Sequence, residues 1–170
     1  MIRKATENDL QSILEIYNEA ILHTTAVYDY KPYSFDNRKQ WFREKEEAEL
    51  PVIVLEDDGE VVGFATYGPF RSRPAYKYTV EHSVYIKRSH SGNGRGKTLL
   101  KEIITVAEQN GYKMMVAGID AANEGSIKLH QKLGFEHVGT VKYAAYKFGR
   151  WLDLAFYQLE LPGPDEPIEE

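Results

Sequence analysis

The chain has 170 residues, 42% of them hydrophobic and 12% aromatic, enough for one compact domain with a core of its own and too few for two. Its formal net charge is −5, so no broad cationic face is available for a nucleic-acid backbone, and a polyanionic ligand would need a local pocket. There is no cysteine, which removes disulfides, thiolate metal sites and any acyl-cysteine intermediate.

The N-terminus runs into an amphipathic pattern, and no later apolar run approaches the ~20 residues of a membrane span, so a soluble cytoplasmic protein without a membrane partner is expected. After a short strand at Ile2 to Ala5, Thr6 can cap a helix whose apolar positions Leu10, Ile13, Leu14, Tyr17, Ala20 and Ile21 recur at spacings of three and four. Ser34 can cap a second, charged helix to about Glu49, with Trp41, Phe42 and Ala48 as its buried candidates. Pro51 to Glu56 and Glu60 to Tyr67 read as strands around the turn Asp57-Asp58-Gly59, and a longer β-run is expected from about Tyr76 to Lys87. The loop ahead of that run, Gly68 to Pro74, carries Arg71 and Arg73.

Ser89 to Gly96 is glycine-rich, and the helix predicted from Lys97 to about Asn110 buries Leu99, Leu100, Ile103 and Ala107 before Gly111 ends it. Met114 to Ile119 suits a strand covered on both faces, and Asn123 can cap a helix with Ile127, Leu129 and Leu133 inward. Two terminal strands follow, about Phe135 to Tyr146 and Trp151 to Leu161. The fold class expected is α/β (α+β): one mixed, largely antiparallel central sheet flanked by helices on both faces, residues 1–161 forming a single domain and 162–170 an acidic, proline-rich tail.

The segment Gly92-Asn93-Gly94-Arg95-Gly96-Lys97 is the most informative, because glycines at every second position let backbone N–H groups converge on an oxyanion at a helix N-terminus. Pyrophosphate is the natural ligand. A dinucleotide fingerprint would need its third glycine one residue later than Gly96, and a Walker A loop ending Gly96-Lys97-Thr98 would need glycine in place of Ser91. A phosphate-binding kinase therefore stays a weaker alternative.

Val84-Tyr85-Ile86 followed by Gly92-Asn93-Gly94-Arg95-Gly96-Lys97-Thr98-Leu99-Leu100 resembles the acetyl-CoA loop of the GNAT superfamily of N-acetyltransferases, and Asn123 to Phe135 resembles that superfamily's second cofactor motif. Phe70 to Tyr76, Thr79 to Ile86 and Ala144 to Asp153 are similar to the phosphinothricin and methionine sulfoximine acetyltransferase branch. The resemblance implies acetyl-CoA as co-substrate, a small amino-acid-like amine as acceptor, no metal and a homodimer. It also implies cofactor contacts from Val84, Tyr85 and Ile86, from Gly92 to Lys97, and from Asn123 and Ser126. Ser91 departs from the pattern, which usually has Arg or Gln there.

Without a cysteine to carry the acetyl group, direct attack in a ternary complex is expected. The resemblance places the general base at Glu81, and its neighbours Val80, Val84 and Ile86 favour a partly desolvated carboxylate; the alternative is an ion pair with Arg71 or Arg73. His130 stands where many relatives have the tyrosine that protonates the thiolate, and a structural histidine is the alternative. Arg71 and Arg73 can clamp an anionic group of the acceptor, or simply form a solvated basic loop. A non-catalytic acyl-CoA sensor is the remaining rival, and it would need neither a base nor an acid.

Overall fold

The computed structural model describes residues 1–170. In chain order the elements are β1 (Ile2–Lys4), α1 (Leu10–His23), α2 (Phe35–Glu47), β2 (Val52–Asp57), β3 (Glu60–Pro69), β4 (Thr79–Ile86), α3 (Arg95–Gln109), β5 (Met114–Asp120), α4 (Glu124–Lys132), β6 (Glu136–Lys147) and β7 (Arg150–Glu160). The seven strands form one sheet in the order β1-β2-β3-β4-β5-β7-β6. Pairing is antiparallel for β1–β2, β2–β3, β5–β7 and β6–β7 and parallel for β4–β5, the mixed, largely antiparallel sheet expected. The β-run expected from Tyr76 starts three residues later, because Pro74–Tyr76 closes a 3-10 turn.

The chain forms two compact units, Met1–Tyr67 with Ser83–Ile103 and Gly68–His82 with Ile104–Glu170, and β4 and α3 each run from one into the other. In the first unit, α1 buries Leu10, Ile13 and Ile16 with Phe42 of α2 against Val52, Val54 and Phe64. Ser34 caps α2, its Oγ accepting the Asn37 N–H at 3.1 Å. The inward face of α2 differs from the expected one: Ala48 lies exposed beyond the helix end, and Arg38 is buried, only 4% exposed. Its guanidinium sits 4.3 Å from the Tyr17 ring centroid and 4.4 Å from that of Trp41, so π-faces take the place of a carboxylate partner. Lys45 shares that face, donates to Tyr67 O at 2.8 Å, and is pushed down to about 8 by burial, with the Arg38 charge adding to the shift.

In the second unit, β5 is the buried strand, Met115, Val116, Ala117 and Ile119 all being inside. Asn123 caps α4 by accepting the Ser126 N–H at 3.1 Å. Of the residues expected to face inward, Ile127, Leu129 and Leu133 are half-buried, and the fully buried side chain of α4 is His130. The tail turns back along this unit: Leu161 N–H bonds Lys113 O at 2.8 Å and Ile168 N–H bonds the Tyr78 hydroxyl at 2.9 Å. No helix is long and apolar enough to cross a membrane.

One glycine of β3 sets how closely its neighbours approach. A Cβ at Gly63 would fall 2.6 Å from Ile86 Cδ1, 2.9 Å from Leu99 Cδ1 and 3.0 Å from Tyr85 O. The two side-chain ends can shift, but the carbonyl is backbone. Gly63→Ala is therefore expected to lower stability by about 1 to 3 kcal/mol, the usual cost of overpacking. The urea midpoint should fall at unchanged slope; an unaltered midpoint would show that β4 has slack there.

Candidate active site

Strand alternation divides the side chains of β4 between two environments. Val80 is buried on one face, and Glu81, half-buried, projects from the other. Glu81 stands at the last position of the parallel ladder, whose pairs are Thr79↔Met114, Val80↔Met115 and Glu81↔Val116, while β4 itself continues to Ile86. Burial raises the Glu81 carboxyl above the usual carboxylate range, and the Arg71 charge pulls it part of the way back. Neither Arg71 nor Arg73 is ion-paired with it. Gly118 keeps space open beside the carboxylate, since a Cβ there would lie 3.5 Å from Glu81 Oε2 and 3.2 Å from Leu154 Cδ1.

The face that bears Glu81 leads into a cleft of about 530 Å³. Thr79 and Val116 belong to its floor, and Phe70, Tyr76, Val141 and Phe156 give it a mainly apolar wall. Phe70 and Tyr76 meet edge to face at 6.0 Å, and the Arg71 guanidinium lies 4.6 Å from the Phe70 centroid, so the arginine loop is packed onto this wall by its aromatic residues. Arg71 and Arg73 are both exposed.

His130 is placed differently from a side chain poised at a surface. Its Nδ1 lies 2.7 Å from Ser126 O and its Nε2 lies 3.0 Å from His82 Nε2, so both ring nitrogens are engaged. Burial holds it below the ordinary histidine value, against the opposing effect of the Ser126 carbonyl. Ser126 is thus tied to His130 as well as to the Asn123 cap.

In the other unit, Gly92 (φ +89°) and Gly94 (φ +76°) take left-handed backbone conformations that other residues reach only with strain. From Gly92 to Lys97 the backbone N–H groups find no acceptor in the protein, and the run leads into the first turn of α3. That is the donor array an oxyanion requires, reinforced by the positive end of the helix dipole. The loop is fastened at both ends. Arg88 N–H bonds Glu19 Oε2 at 2.9 Å, Ser91 Oγ donates to Arg88 O at 2.9 Å, and Arg95 donates to His90 O at 3.1 Å while pairing with Asp57. The Arg95 guanidinium is therefore spent within the protein, and what it offers a ligand is its backbone N–H. Lys97 is exposed without an ion-pair partner. Further back on β4, the Tyr85 ring packs on Phe64 at 5.1 Å and on Tyr17 at 5.5 Å, so its side chain serves the core.

Residues 2–156 match the family model described as an acetyltransferase (GNAT) domain. The chain belongs to the GNAT acetyltransferase family. The L-methionine sulfoximine/L-methionine sulfone acetyltransferase of Salmonella typhimurium is 44% identical over 160 residues, 94% of each chain. The phosphinothricin N-acetyltransferase of Streptomyces viridochromogenes is 36% identical over 98% of this chain and 92% of its own. Among solved structures, the Sinorhizobium meliloti phosphinothricin acetyltransferase in complex with acetyl-CoA superposes with a TM-score of 0.91 at 40% identity, covering 95% of this chain and 88% of that one.

This GNAT acetyltransferase also contains residues, in contact with those of the candidate site, that motif spacing and hydropathy do not single out. His82 is one: its place on the Val80 face of β4, where a polar ring needs a partner, was the available signal. Asp57 is another, and nothing in a hairpin turn announces that its carboxylate will hold Arg95. No cluster of histidine and carboxylate side chains suited to a metal occurs in the acetyltransferase.

Proposed function

We propose that this acetyltransferase moves the acetyl group of acetyl-CoA onto the amine of a small amino-acid-like acceptor of the methionine sulfoximine, methionine sulfone or phosphinothricin type, by direct transfer in a ternary complex. The observation that carries the reading is Glu81, a desolvated carboxylate on a face that leads into an apolar cleft beside an arginine loop. Residues 1–161 are taken as one acetyltransferase domain, because the family model spans most of them and β4 and α3 are continuous through both units. An enzyme supplied with acetyl-CoA in this way belongs in the cytoplasm.

Acetyl-CoA is treated as a co-substrate whose thioester supplies an activated acyl carbon. The free N–H groups from Gly92 to Lys97 suit its pyrophosphate, with Lys97 as the nearby cation, and Asn123 and Ser126 at the start of α4 and the backbone of Val84, Tyr85 and Ile86 are assigned to the rest of the molecule. Glu81 takes a proton from the acceptor ammonium, directly or through a water. The freed amine forms the C–N bond as the C–S bond breaks, the new amide nitrogen gives up its second proton, and the departing thiolate takes up a proton in exchange through water, while the proton held by Glu81 returns to solvent. Before His130 protonated that thiolate, its Nε2 would have to part from His82 and gain a proton, so we assign it no proton in the transfer. Arg71 and Arg73 are assigned to the acceptor's anionic group, and the aromatic and aliphatic cleft to its side chain.

We also propose a homodimer. β6 is an edge strand of twelve residues, and it and the adjoining turn and β7 expose Val138, Val141, Tyr143, Tyr146, Phe148 and Trp151. A long apolar edge of this kind is covered in most soluble proteins. Light scattering should give twice the chain mass for the native protein and the single mass for Trp151→Asp; a monomeric native protein at micromolar concentration would end the proposal.

Coenzyme A release should be followed with methionine sulfone, methionine sulfoximine, phosphinothricin and common amino acids as acceptors. Turnover is expected with the sulfone-like group, and Glu81→Gln should lower kcat by about 10²- to 10⁴-fold at saturating substrates, the usual weight of a general base. Full activity in Glu81→Gln would remove the base assignment, and acetyl-CoA binding without turnover of any acceptor would remove the acceptor class.

A further inference from the structure

The ring of His82 takes no part in the chemistry proposed above, yet it adjoins Glu81 in sequence and is the first residue of β4 beyond the ladder with β5. It lies nearly parallel and edge to edge with the His130 ring, with centroids 5.1 Å apart and planes 10° from parallel. Phe135 meets both rings edge-on, at 5.8 Å and 5.0 Å.

The hydrogen bonds assign every proton in this pair. A carbonyl oxygen only accepts, so His130 carries a proton on Nδ1, directed at Ser126 O. With the ring neutral, His130 Nε2 is a bare acceptor, and the group opposite it at 3.0 Å must be His82 Nε2–H. His82 Nδ1 is then bare as well, sealed from solvent and without a partner. An added proton has no good place. On His130 Nε2 it would confront the His82 N–H, and on His82 Nδ1 it would create a buried cationic N–H with no acceptor. Burial pushes His82 down to about 3, with the neighbouring His130 as the further cause, and no carboxylate or other cation acts on it.

We infer that His82 is a positioning residue for the acetyl transfer: with His130 it forms an uncharged clasp that fastens the Glu81 segment of β4 to α4 at the point where the β4–β5 ladder ends. The inference rests on the proposed role of Glu81. A carboxylate that must meet an ammonium proton within hydrogen-bond reach depends on a fixed backbone, and small displacements cost large factors in rate. The clasp supplies what further ladder bonds would otherwise supply.

Its pH dependence has a definite sign. Histidines held below their ordinary value bind protons more weakly folded than unfolded, so the stabilisation is complete above about pH 6.5, the unfolded value, and is lost progressively on acidification toward the folded values.

The test combines long-range ¹H–¹⁵N imidazole spectra at pH 7.5, Tm between pH 7.5 and 5, and kinetics of His82→Gln and His82→Phe. The spectra should show Nε2–H on His82 and Nδ1–H on His130, both neutral. His82→Phe keeps a flat ring in the same place but loses the N–H, and its kcat should fall by about tenfold or more with KM for acetyl-CoA little changed, as expected for a misplaced base. Its Tm should also fall less steeply with acidification than that of the native protein. His82→Gln restores an N–H donor at a similar reach and should recover most of kcat. A charged His130, an Nδ1–H on His82, or undiminished kcat in His82→Phe would overturn the clasp. Tautomers and the Tm profile are read without turnover, so they decide the clasp separately from the acceptor assignment.

Discussion

A parallel ladder of three residue pairs between β4 and β5 is the constraint on which the proposed chemistry depends. Because the ladder ends at Glu81, this carboxylate stands where β4 stops pairing with β5, half-buried and on the sheet face whose Thr79 and Val116 line the cleft. A carboxylate on the opposite face, at the position of the buried Val80, would be inaccessible to an amine. One on a loop would be hydrated and too acidic to serve near neutrality. The intermediate position raises the group's proton affinity while leaving Gly118 beside it to keep the approach clear.

The proposed co-substrate sets a second requirement, a place for a polyanion in a chain of net charge −5. In the proposed reading, the backbone of the glycine loop meets it without a cationic surface. Two left-handed glycines and the opening turn of α3 leave a run of N–H groups without an acceptor in the protein, while side chains on either flank keep the loop in shape. Arg95 is instructive here. A guanidinium inside a phosphate-binding motif suggests a direct contact, yet it is held by Asp57 and His90 O and acts by bracing the loop.

Much of this was legible in the residues because it follows from periodicity and capping. The spacing of Leu99, Leu100, Ile103 and Ala107 identified the buried face of α3, and Ser34 and Asn123 cap the helices they were expected to cap. The glycine spacing implies an anion, and the loop does carry backbone N–H groups without an acceptor in the protein. What escaped were polar groups inside the core, since a hydropathy pattern assigns them to solvent. Arg38 is buried where Ala48 was expected, because π-faces of Tyr17 and Trp41 can take up a guanidinium, and that depends on residues distant in sequence. His130 was legible as a motif position but not as half of a pair, for its partner lies 48 residues away. The end of the β4–β5 ladder is likewise invisible in composition, since Val84 and Ile86 are as strand-like as Val80.

The proposed chemistry turns on the protonation of one carboxyl group in the protein before any substrate binds. Carboxyl-¹³C glutamate NMR, with the Glu81 resonance assigned by its absence in Glu81→Gln, reads that group directly across a pH titration. A midpoint above the usual glutamate value of about 4.3 is the predicted result. A midpoint at or below it would mean that Glu81 is hydrated or paired with an arginine, and the assignment of Glu81 as the desolvated base would be wrong.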